Sequence, residues 1–114
     1  MKAKKDPKIF LKHILESVNE IERNIDGMSE VKFSESTTIQ DAVVRRLEII
    51  GEATKNLPIS FREKYSKIPW KKMVGMRDVL IHGYFGVDMG LVWKITQKDI
   101  PKLKKEISQL LKEF

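Results

Sequence analysis

Trp70-Lys-Lys-Met-Val-Gly-Met-Arg-Asp-Val-Leu-Ile-His-Gly-Tyr-Phe85 decides how the chain is read. Its apolar residues at 70, 73, 74, 76, 80 and 81 recur at the spacing of a helix with one buried stripe. Pro69 disfavours helical backbone in the residue before it, so this helix starts at or just after it. Gly83 is suited to the left-handed conformation that closes a helix, which makes His82 the last helical residue.

Within eight residues the stretch gathers Arg77, Asp78, His82 and Tyr84. Asp78 and His82 are four apart and nearly eclipse on a helix, so the carboxylate is placed to hold the imidazole through one ring nitrogen. Arg77 and His82 are five apart, which separates them by about 140° around a continuous helix. They meet at one point only if the helix unwinds at His82 or if a second chain supplies one of them. The helix C-terminus and Asp78 favour a charged imidazole while Arg77 opposes it, a balance suited to a general acid or base. Spacing alone favours a capping histidine beside a solvated arginine.

Outward from this centre the chain is helical on both sides. Asp6 is an N-cap with Pro7 at the first helical position, and Ile9, Phe10, Ile14, Leu15, Val18, Ile21 and Ile25 follow at helical spacing. The first helix is expected from about Pro7 to about Asp26, ended by Gly27. His13 lies beside its stripe with no partner motif, as a structural or exposed residue. Residues Val31 to Ser36 read as a link to a second helix capped by Ser36, Thr37 or Thr38. Its stripe of Ile39, Ala42, Val43, Leu47, Ile50, Ala53, Thr54 and Leu57 is wide enough to face a core and a partner, and Pro58 stops it. Gly51 in mid-helix calls for a close helix approach. Arg45 and Glu52 on this helix read either as surface ion pairs or as residues near the motif that orient it.

Ser60 to Tyr65 reads as a short helical turn, and Trp70 as a core anchor in preference to a base-stacking residue. Asp88 caps a further helix with Leu91, Val92 and Ile95 buried and Trp93 packing. Asp99-Ile100-Pro101 restarts or kinks it before the stripe of Leu103, Ile107, Leu110 and Leu111. No useful strand-type alternation occurs. The expected fold is all-α, an antiparallel bundle of four to five helices forming a single domain over residues 1–114.

Composition narrows the function classes. The chain is 41% hydrophobic and 33% charged, with no apolar run near the ~20 residues of a membrane span. The Lys-rich start has no apolar signal core, and there are no cysteines to form disulfides or thiolate metal sites. Two histidines without a clustered carboxylate set argue against zinc. A cytoplasmic protein without cofactor is expected. Net charge is +4 over residues 1–13, −5 over 14–52 and +7 over 53–114, so the half containing the motif suits a polyanion such as RNA.

The Arg77-x4-His82-x-Tyr84 pattern resembles the motif of the HepT-like toxins, a branch of the HEPN superfamily of small helical ribonucleases. Flanking blocks extend the resemblance from about Ile39 onward: Asp41 to Ala53, Ile68-Pro-Trp70, Asp88 through Trp93, and Asp99 to Leu103. The resemblance implies a metal-independent endoribonuclease. His82 would act as general base or acid, Arg77 would bind the scissile phosphate, and Asp78 would orient His82. It further implies a homodimer with facing motifs, and a cognate MntA-type nucleotidyltransferase antitoxin that adds AMP to Tyr84, the arrangement of a type VII toxin–antitoxin pair. The rival class is a non-catalytic helical dimer that binds a nucleotidyltransferase or a nucleotide.

Overall fold

Asp6 starts the first helix by accepting a hydrogen bond from the backbone of Lys8 at 2.9 Å, with Pro7 in the first turn. A computed structural model describes the backbone of residues 6–82 and 88–114 and the side chains of residues 6–76 and 88–114. Six helices follow among them: α1 (Pro7–Ile25), α2 (Glu30–Glu35), α3 (Thr37–Lys55), α4 (Ile59–Lys64), α5 (Trp70–His82) and α6 (Met89–Leu111). The four long ones form the expected all-α bundle. Among the described residues, no helix is long and apolar enough to cross a membrane.

The stripes close on one core. On α1, Leu11, Ile14, Val18 and Ile21 are fully buried, and on α3 Val43, Leu47 and Ile50 are too. Val92, Ile100, Leu103, Ile107 and Leu110 bury the inner face of α6. Helix α3 packs between α1 and α5, and α6 packs on α1. An ion pair of 2.7 Å between Lys104 and Glu22 ties the outer edges of α6 and α1. Gly27, at φ 74°, lets the chain turn out of α1 in a conformation that side chains resist.

The structure departs from the expectations at three points. Val31 to Ser36 is not a bare link, because Glu30–Glu35 is helical and buries Phe33 to 1% exposure. Ser29 caps α2 through Lys32 N at 3.1 Å, and the Gln40 amide closes it by donating to the carbonyls of Phe33 and Ser34 at 2.9 and 3.0 Å. The Phe33 ring lies 5.3 Å from that of Trp93, so α2 is held by one aromatic plug where no stripe is possible. Pro101, for its part, does not restart a helix. Helix α6 runs unbroken from Met89 to Leu111 with Pro101 exposed, so the lost N–H donor falls on the solvent side while Ile100 and Leu103 pin the inner face. The stop before Pro58 also comes earlier than the proline, with Asn56 as the C-cap of α3.

Trp70 is the core anchor that the sequence predicts. It is 5% exposed, and its indole N–H donates to the carbonyls of Arg62 and Tyr65 at the end of α4 at 3.1 and 3.0 Å, the second of which also accepts from Ile68 N at 3.2 Å. One side chain thus closes α4 and starts α5. Trp70→Phe is expected to cost about 1–2 kcal/mol by removing the indole donor and thinning the packing. Urea unfolding checks this; an unchanged midpoint would show that water takes over both acceptors.

Candidate active site

Helix α5 is positioned before any functional side chain is reached. Trp70, Met73 and Met76 bury its inner face at three-residue intervals, α3 lies along one side, and Lys72 bridges to Asp99 of α6 at 2.8 Å. The backbone stays helical through His82, so Arg77, Asp78 and His82 belong to one continuous helix. Their separation is therefore that of the helix, roughly 7.5 Å of rise and about 140° of rotation between positions 77 and 82. The side chains of Arg77, Asp78 and His82 lie outside the described residues, as do Gly83 and Tyr84 altogether.

The surroundings that are described define a crevice between α5 and α6. Pro69 and Met73 lie across from Leu103, and Met76 lies across from Leu91 and Val92, so the two helices run antiparallel. Near the end of the described part of α5 this seam widens to a cavity of about 520 Å³. Met76, Leu91, Val92 and Ile95 make its walls apolar, and Lys72, Lys94 and Lys98 stand on its lips. Met76 immediately precedes Arg77, so the widened seam opens beside the motif half of α5. The charged lip is a feature that reading the chain by halves missed. Its signal is in the sequence as Lys94-x3-Lys98-x3-Lys102, three lysines one helical turn apart.

Arg45 and Glu52 sit on the outward part of α3. The Arg45 guanidinium is 3.7 Å from the Glu48 carboxylate and its side chain is 71% exposed, a geometry worth little to stability. With Glu52 it lines a hollow of about 360 Å³ between α1 and α3 that also takes in Phe10, His13 and Asn56. The fold therefore brings exposed His13 to the two α3 residues, a juxtaposition that needed the α1–α3 packing and was not visible in spacing.

Comparison with known proteins gives a consistent picture. The profile of the family described as Ribonuclease HepT-like matches residues 14–110. A protein of Methanocaldococcus jannaschii, whose name joins a gamma-glutamylcyclotransferase to a candidate RNase, is 57% identical over 97% of this chain and 50% of its own length. The chain thus spans about half of that relative. A protein of Caldanaerobacter subterraneus subsp. tengcongensis named as a candidate RNase is 46% identical over 96% of this chain and 97% of its own. One of Thermococcus cleftensis, named as a candidate ribonuclease HepT, is 43% identical over 96% of this chain and 99% of its own. No solved structure gives a significant match.

Proposed function

The chain belongs to the HepT-like ribonuclease family, and from that premise we propose that it is the metal-independent endoribonuclease toxin of a type VII toxin–antitoxin pair. The observation that carries the reading is the unbroken course of α5 through His82, with Arg77 and His82 on one helix at an angular offset that a second copy resolves. In a symmetric dimer with facing α5 helices, His82 of one protomer and Arg77 of the other address the same phosphate.

The chemistry needs little more. The ribose 2′-hydroxyl is already next to phosphorus, so no external nucleophile has to be recruited. His82 takes the 2′-hydroxyl proton as the oxygen attacks, or gives a proton to the departing 5′-oxygen, and Arg77 stabilises the charge that builds on the phosphate oxygens. Asp78, one turn before His82, orients the imidazole. Cleavage of RNA by the purified chain with a chelator present is the test of the reading. Absence of cleavage by a folded, dimeric preparation would remove it.

Control would fall on Tyr84, two residues past His82. An AMP group there adds a phosphodiester charge close to the place where Arg77 must meet the RNA phosphate, and the two anions compete for one cation. Tyr84→Phe is expected to keep nuclease activity and escape silencing by a cognate MntA-type nucleotidyltransferase. Mass spectrometry after co-expression reads this directly: AMP on another residue of a silenced chain, with Tyr84 unmodified, would refute the route.

A further inference from the structure

We propose that the seam between α5 and α6 is a track for single-stranded RNA, in which Lys94, Lys98 and Lys102 hold successive backbone phosphates and an apolar floor receives unstacked bases. The inference rests on the ribonuclease reading for its direction, since the track leads to Arg77. It rests on the seam itself for its chemistry.

Three observations converge. Lys94, Lys98 and Lys102 are exposed and follow one another at four-residue intervals on α6. Each step advances about 6 Å along the axis with a drift of about 40°, so the three ammonium groups form a gently winding row with a spacing that an extended phosphodiester backbone can follow. None of the three has an ion-pair partner among the described residues, whereas Lys72 and Lys104, on either side of the row, are bound to Asp99 and Glu22 at 2.8 and 2.7 Å. The row is thus free to take anions while its neighbours lock the helix in place.

The second observation is the floor. Beside Lys94 and Lys98 the crevice wall is Met76, Leu91 and Ile95, and Leu91, one turn from Lys94, is 45% exposed, so apolar surface faces solvent next to the cations. Apolar surface next to cations matches a strand with splayed bases, which puts a flat hydrophobic face beside each phosphate. A duplex hides those faces and gains nothing from the floor. The third is position: Lys102 lines the narrow part of the seam, Lys94 and Lys98 the wide part, and the wide part ends where Met76 leads into Arg77. A strand lying along the lysines is delivered to the helix that bears the motif. An acidic protein surface would also meet the charge, but it has no need of an evenly spaced row ending at a phosphate-binding arginine.

The test is binding of a fluorescein-labelled oligouridine by anisotropy, with His82→Ala as the parent so that the probe stays intact. The triple variant Lys94→Gln, Lys98→Gln, Lys102→Gln is expected to bind about 10- to 100-fold more weakly at low salt. The slope of log affinity against log salt should flatten by about 2, near 0.7 for each lost phosphate contact. Leu91→Asn should weaken the single strand alone, leaving duplex binding unchanged. In an otherwise wild-type chain, the triple variant should cleave a dinucleotide at the normal rate and a long strand more slowly. Unchanged affinity and slope in the triple variant would overturn the track even if His82 proves catalytic. Tighter binding of polyglutamate than of oligouridine would overturn it in favour of an acidic protein partner. Lysine-dependent binding of oligouridine by a chain that cleaves nothing would leave the track standing and remove the nuclease reading.

Discussion

His82→Ala and Arg77→Ala are each expected to slow RNA cleavage by about 10²–10⁴-fold while circular dichroism and oligomeric state stay those of the parent. The described anchors that hold α5 are Trp70, Met73 and Met76, and both variants leave them in place. Loss of activity with an intact fold would therefore report chemistry. The pair also separates two geometries. If one site draws His82 from one protomer and Arg77 from the other, co-expressed inactive variants regain activity in the mixed dimer. That dimer holds one complete site and one site lacking both groups. Random pairing gives about a quarter of the parent rate. A site contained within one chain gives nothing on mixing, since each chain lacks one of its own groups. Parent-like cleavage by either single variant would remove the assignment of that residue.

The largest expected effect on stability is at Phe33. Phe33→Ala is expected to cost about 3–5 kcal/mol, the range for deleting a buried aromatic side chain. For a chain of this size that is a fall in melting temperature of more than about 10 °C. Phe33 is the only buried side chain of α2, and it is what the helix offers to Trp93 and the core. Its removal leaves the Ser29 and Gln40 caps with nothing to anchor. Thermal and urea unfolding of the variant measure the loss. A change below about 1 kcal/mol would mean that α2 covers the core without supporting it.

The contrast between α2 and its neighbours shows what the sequence could reveal. Helices α1 and α6 were legible because a stripe repeated over five or six turns, as in Ile14, Val18 and Ile21, has no other economical explanation than a buried face, although that stripe omitted the equally buried Leu11. Six residues with one buried phenylalanine carry no period at all, so the stretch reads as a link, and only the packing of Phe33 and the Ser29 cap mark it as a helix. At Pro101 the two expected outcomes were a restart or a kink, and the helix is not restarted. The proline's local preference against mid-helix positions was outweighed by Ile100 and Leu103 on the inner face, a tertiary effect that local chemistry does not carry. The continuous helix that carries Arg77, Asp78 and His82 was legible, and so was the angular problem they pose. The crevice was not, because Met76 and Leu91 become neighbours only when α5 and α6 lie antiparallel.

The packing of α6 on α1 sets a clock on synthesis. Glu22 and Lys104 are 82 residues apart in the chain, and at about 5–20 residues per second the ribosome needs on the order of 4–16 s to make the second after the first. Through that interval Leu11, Ile14, Val18 and Ile21 wait for the face that completes their burial. The motif helix is made before α6 and is left without its lysine-bearing neighbour until α6 emerges. The crevice beside the motif therefore forms only once α6 has been made and has packed against the helices that precede it.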